Sequence, residues 1–267
     1  MITLWFVLAG LSVVFVAIDI RTTPAHPVMK WGFILLVAYT GVFGLVLYLL
    51  GYREPLRGTH ERFVAVRWRQ VLGSTMHCVA GDGIGILAGA AIASVIALDG
   101  PVEIGLEYLL GFAFGWTIFQ ALFMRDMAGG DYVRALKNTF VAEFLSMNLL
   151  MSAMIPVMMI LRTRIAPGAG PHDPAFWFVM SMALLAGFIV AYPMNWWLVA
   201  NHLKHGMFTV RTADDTDAPD DAATKVTTTY AEMMPDGETG DRHPMPPIWA
   251  MVAISCLTLA AGLLTAV

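Results

Sequence analysis

Seven stretches of the chain are almost continuously apolar, and each is long enough to cross a bilayer. A hydrocarbon core about 30 Å deep needs about 20 residues of helix at 1.5 Å rise each. The runs 2–20, 28–51, 71–98, 103–125, 138–161, 174–200 and 248–266 satisfy that length. Proline marks their boundaries: Pro101 between the third and fourth, Pro167, Pro171 and Pro174 between the fifth and sixth, and Pro244, Pro246 and Pro247 ahead of the last. The pattern predicts an all-α fold, a polytopic transmembrane helix bundle of about seven spans. Residues 201–247 differ in kind. Rich in Asp, Thr, Pro and Gly, they lack the apolar mass to fold alone. The expected organisation is a six-helix membrane bundle over 1–200, an acidic, flexible cytoplasmic linker over 201–247 and a C-terminal transmembrane helix over 248–267.

Composition agrees with the pattern. Of 267 residues 58% are hydrophobic and only 13% charged, with a mean hydropathy of +0.67, about half the charge of a water-soluble domain. The net charge of −4 carries little information, because nine of the twenty acids fall between 214 and 241. Nucleic acid is not an expected partner; the lipid bilayer is. Cys78 and Cys256, the two cysteines, lie in separate apolar runs and form no C-x-x-C pair, so no disulfide framework is expected. The first run has no positive flank or small-residue cleavage site and is read as a retained helix.

Lys and Arg in alternate loops predict the orientation. The loops after the second, fourth and sixth stretches hold five, three and four, against two, none and two in the others. Twelve against four places the amino terminus in the cytoplasm and the carboxyl terminus outside a bacterial inner membrane. Arg21 and Lys30 dissent, since they flank the first stretch on its far side.

An ionisable side chain in hydrocarbon costs at least about 2.5 to 3.5 kcal/mol, so such residues face a bundle interior or a wet cavity. His77, Asp82 and Glu143 stand out. If the third stretch enters the core near residue 71, His77 lies about 9 Å deep and Asp82 about 17 Å. Glu143 and Asn148 of the fifth stretch reach comparable depths, and Tyr192 and Asn195 of the sixth end in the same leaflet. Gly73, His77, Gly81, Gly85, Gly89, Ala93 and Ala97 recur every four residues, a small-residue stripe that permits close helix contact. Cys78, Asp82 and Ile86 form the neighbouring row. Glu143, Met147, Met151, Met154 and Met158 share a face of the fifth stretch. Thioethers, a thiol and an imidazole are ligands that suit Cu(I); methionines at helical spacing also serve as plain core packing. Asp19 and the pair Glu103 and Glu107 fall near helix ends, where a solvated headgroup role is expected. His202, His205 and Met207 offer an H-x-x-H spacing just past the sixth stretch.

The segments MHCVAGDGIGILAG at 76–89, TFVAEFLSMNLLMSAMIPVMMIL at 139–161 and FWFVMSMALLAGFIVAYPMNWWLVANHLKHGM at 176–207 resemble the DUF4396 family of bacterial polytopic membrane proteins, with a family core of about 71–207. The resemblance implies the membrane fold and an association with copper handling, without an established activity. Many members look like HC-x-x-GC with an acid one turn later. Here Asp82 stands at the second cysteine position and Ile86 at the acidic one, so the carboxylate sits one turn earlier in the same row and the paired thiolate is lacking.

These observations point to a protein that binds or conducts a small cation, a copper ion or a proton. His77 and Cys78 are the expected ligands, Asp82 and Glu143 balance charge or relay protons, and Met147, Met151 and Asn148 support them. Two other roles fit the same sequence: an accessory subunit of a larger membrane complex or homo-oligomer, and a redox protein holding haem or quinone at His77. No nucleophile–base pair, phosphate loop or redox fingerprint appears, so an enzyme is not the favoured class. The last stretch has no lysine, which excludes a retinal Schiff base there.

Overall fold

The computed structural model describes residues 1–24, 27–56, 59–125, 129–204, 206 and 245–266. Among them there are helices and no strand. The helices are α1 (Ile2–Asp19), α2 (Pro27–Thr40), α3 (Val42–Gly51), α4 (His60–Val64), α5 (Arg67–Val95), α6 (Gly100–Phe114), α7 (Phe123–Arg125), α8 (Tyr132–Arg164), α9 (Pro174–Ala200) and α10 (Ile248–Leu263). A π-helical segment, Gly115–Leu122, joins α6 to α7. Six helical units are long and apolar enough to cross a membrane: α1, α5, the α6–α7 unit, α8, α9 and α10. The all-α bundle read from the sequence is the observed architecture. Most of the predicted 201–247 linker lies outside the described residues.

The predicted second span is not one helix. It breaks at Gly41, whose φ of 56° and ψ of −129° no ordinary residue adopts cheaply. The two halves fold back on each other: a Cβ at Gly44 would press on Val37 Cα and the Leu36 carbonyl, and Phe33 packs against Tyr48 and Tyr52 with ring centroids 5.7 and 4.2 Å apart. At 14 and 10 residues, α2 and α3 reach only about 21 and 15 Å at 1.5 Å per residue. They form a re-entrant helical hairpin. Its tip meets Trp5 and Ala9 near the start of α1. At its base Asp19, the last residue of α1, accepts from Tyr48 at 2.7 Å and pairs with Arg53 at 2.9 Å.

The hairpin changes the topology. It returns to the end of the bundle where it began, so six helices long enough to cross remain and the described ends of the chain lie at one end of the bundle. Seven spans would put them at opposite ends. Contacts along the helices agree: Trp5 of α1 packs on Phe178 early in α9 (5.8 Å), and Trp197 late in α9 donates to the Pro246 carbonyl just before α10 (3.0 Å).

Helix α5 is the axis of the bundle, buried from Val71 to Ile86 apart from Ile84. Its glycine stripe meets the α6–π unit. A Cβ on Gly81 would strike Phe119, one on Gly85 the Leu110 carbonyl, and one on Gly89 would lie 2.9 Å from Glu107 Cα. Gly73, further along the stripe, is buried where α5 passes a small cavity. The small residues of the stripe thus let α5 approach the fourth predicted span closely.

Candidate functional site

Cys78, Asp82 and Glu143 come together where α5, α8 and the π-helical segment meet. The thiol and one oxygen of each carboxylate lie within 4.8 Å of one another, all buried. The Cys78 thiol donates to Glu143 Oε2 at 3.2 Å, and Gln120 Nε2 donates to Cys78 Sγ at 3.3 Å. Lys204 completes the group: its ammonium donates to Cys78 Sγ and lies 3.8 Å from Glu143 Oε2.

Each residue arrives by a local cause. Cys78 and Asp82 are one turn apart on α5 and share a face. Gly115 opens the space opposite them, since a Cβ there would overlap both Asp82 Oδ1 and Glu143 Oε1. Gly115 also begins the π-helical stretch, whose wider turn is common at functional sites. Lys204 enters through the end of α9. His202 adopts a left-handed φ of 57°; Leu203 N donates to the Leu198 carbonyl at 2.9 Å and His202 N to the Val199 carbonyl at 3.1 Å. This six-to-one and five-to-two pair is a Schellman ending. It turns the chain back, and Lys204 is only 5% exposed despite lying beyond the last helical residue.

The electrostatics of the site follow from counting charges. Two carboxylates and one ammonium, all buried, carry one surplus negative charge when every group is ionised. Bare charges cost several kcal/mol each in such surroundings. Asp82 Oδ1, Asp82 Oδ2 and Glu143 Oε1 also lack a hydrogen-bond donor. A proton shared between the facing carboxyls, or a bound cation, would supply the missing positive charge, and the proton would supply a missing donor as well.

The other expected residues lie around this centre, each with contacts of its own. His77 lies on the neighbouring row, with its ring 5.5 Å from Phe119 and 5.0 Å from Phe123. It lines a cavity of about 10 Å³ shared with Gly73, Ser74, Gln120 and Lys204, room for about one water. Met147, Met151, Met154 and Met158 are buried among the apolar core residues, with Met147 Cε and the Asp82 carbonyl both against Gly111. Asn148 accepts from Tyr108 at 2.7 Å and donates to Ser255 at 3.3 Å, tying α8 to α6 and α10. Asn195 donates to Ser146 at 2.9 Å, and Tyr192 to the Trp68 carbonyl at 3.0 Å. These last two hold α9 to its neighbours away from the centre. His205 and Met207 lie outside the described residues.

Three contributors escaped the sequence reading: Gly115, Gln120 and Lys204. A lysine just past a span reads as a snorkelling headgroup anchor, and nothing local reveals that the chain doubles back. Glu103 and Glu107 are a correction. Expected at the headgroups, they are 4% and 0% exposed, because Arg162 of α8 covers Glu103 with a 2.7 Å ion pair.

A metal ion could draw on the Cys78 thiolate and the Asp82 and Glu143 carboxylates, a mixed set without the imidazole and thioethers that Cu(I) favours. The Lys204 ammonium already stands beside two of the three.

No curated protein and no solved structure matches the chain. The profile of DUF4396, a domain of unknown function, matches residues 67–204, the stretch that contains all four residues of the centre. The chain therefore belongs to the DUF4396 family.

Proposed function

We propose that this membrane protein binds a small cation at the Cys78–Asp82–Glu143–Lys204 centre, and that the cation is a proton held between the two carboxyls. The observation that carries the reading is the meeting of Asp82 and Glu143 across Gly115 with three donorless oxygens and a single ammonium. Lys204 balances one carboxylate, which leaves one negative charge for a proton to neutralise. Cys78 links the ammonium to Glu143 and keeps the pair in register. Such buried ionisable groups usually mark ion or proton pathways.

The thiol favours a second reading, Cu(I). Against it stands the position of the ammonium, beside both Cys78 and Glu143. Infrared difference spectra of the purified protein test the first reading. A protonated-carboxyl component at neutral pH that is present in the native protein and lost on Asp82→Asn supports it, and a carboxyl spectrum unchanged by that substitution refutes it. Elemental analysis and Cu(I) titration test the second, with equal copper in the native protein and Cys78→Ala as the expected result.

The six-crossing topology also supports an orientation. Among the described residues Arg21, Lys30, Arg53, Arg62, Arg67, Arg69, Arg125, Arg134 and Lys137 belong to one face, and only Arg162 and Arg164 to the other. Arg21 and Lys30, which dissented in a seven-span count, now join the majority. The basic face is cytoplasmic by the positive-inside rule, and both termini lie on the outer face of the cytoplasmic membrane.

A further inference from the structure

Glu107 has no place in the centre described above, yet it is a second buried carboxylate, 0% exposed, with no hydrogen-bond donor on either oxygen. The one cation near it, Arg162, is engaged by Glu103, one turn away on α6. An isolated buried carboxylate has no packing value that an apolar residue would not exceed.

Its position gives it a use. Gly89 of α5 faces Glu107 Cα and lies seven residues, about 10 Å, beyond Asp82 towards the Arg162 face. The Tyr108 hydroxyl, adjoining Glu107 in sequence, reaches Asn148, one and a half turns beyond Glu143 on α8. Arg162 is about one-third exposed at that face. On the other side of the centre, the cavity beside Lys204 and Gln120 approaches the basic face.

We infer that Glu107 and the Asp82–Glu143 pair are successive stations of one proton path between the two faces, with the Glu103–Arg162 ion pair at its mouth. The inference rests on the proton reading of the central pair. A proton leaves Glu107 for the Asp82 carboxylate through water that enters the roughly 10 Å between them, and Glu107 takes another from the Arg162 face. The pair then passes its proton towards the cavity beside Lys204. Each passage moves one proton and returns every group to its starting state. Tyr108 and Asn148 position the segment between the stations.

The test is proton flux into liposomes containing the full chain, with an internal pH dye and a potassium ionophore to balance charge. The native protein should dissipate an imposed pH gradient faster than empty vesicles. Glu107→Gln should slow it at least about ten-fold, and Glu107→Asp should restore part of the rate. Native flux no faster than empty vesicles, or unchanged flux in Glu107→Gln, overturns the path. Should Glu107→Gln not fold, Glu103→Gln decides: slowed flux supports the path and unchanged flux overturns it. The infrared band of the central pair separates the two failures, since it should survive in Glu107→Gln whatever the flux, and its absence from the native protein overturns the underlying proton reading instead.

Discussion

Lys204 shows how much one side chain can carry. It is the only ammonium in contact with Cys78 and Glu143 among the described residues, and removing one partner of a buried ion pair leaves an uncompensated charge costing about 3–5 kcal/mol. Lys204→Met should therefore lower the melting temperature sharply. The double variant Lys204→Met, Glu143→Gln should recover most of the loss, because the stranded charge is gone. A double variant no more stable than Lys204→Met alone would show that the lysine acts by packing rather than by charge. His60 is a simpler titrating residue outside the spans. It is 1% exposed, with its ring 5.3 Å from Tyr52, and burial pushes its pKa below the usual value of 6.5. The folded protein thus takes up a proton here less readily than the unfolded chain. The contribution of His60 to stability is complete above about pH 6.5 and declines as pH falls towards the lowered folded value. Melting temperatures measured from pH 8 to 5 should fall less for His60→Gln than for the native chain.

The re-entrant hairpin and the π-helical segment are elements in which a local irregularity serves a larger purpose. Gly41 reverses the chain between α2 and α3 in a conformation that favours glycine, and Trp5 closes on it, 3.0 Å from where a Cβ would sit. Gly41→Ala should cost about 1–3 kcal/mol, read as a lower melting temperature and faster proteolysis of the 52–66 connection. Unchanged values would mean that the hairpin tip is looser than its contacts indicate. The π-helical segment acts through its width. It turns Gln120 towards Cys78 while keeping Gly115 beneath the carboxylates, two placements an uninterrupted α-helix would separate differently.

For the whole molecule the decisive feature is the parity of crossings. Six spans and a returning hairpin place both termini together, whereas seven spans would place them apart. Epitope tags at each terminus, probed in intact and permeabilised cells, should both react from outside, and a tag at residue 56 should react only after permeabilisation. Detection of just one terminus from outside would exclude the re-entrant hairpin in the membrane. The same parity gathers the basic residues on one face and leaves Arg162 near the opposite one, so the charge asymmetry and the proposed path run along the same axis.

The linear chain by itself determined the membrane solvent, the helical class, most span boundaries and the small-residue face of α5, because length, apolarity and four-residue spacing act locally. It also singled out Cys78, Asp82 and Glu143, since a polar group in hydrocarbon is conspicuous without a partner. Tertiary structure alone decided the rest. Apolar composition is the same for a helix that crosses and a hairpin that returns, so only packing about Gly41 distinguishes them. The assignment of Lys204 to the centre, His77 to an aromatic niche, and the methionines to the core likewise depends on helix rotation and on one left-handed turn. Those choices arise from contacts between segments far apart in the chain, which no local pattern encodes.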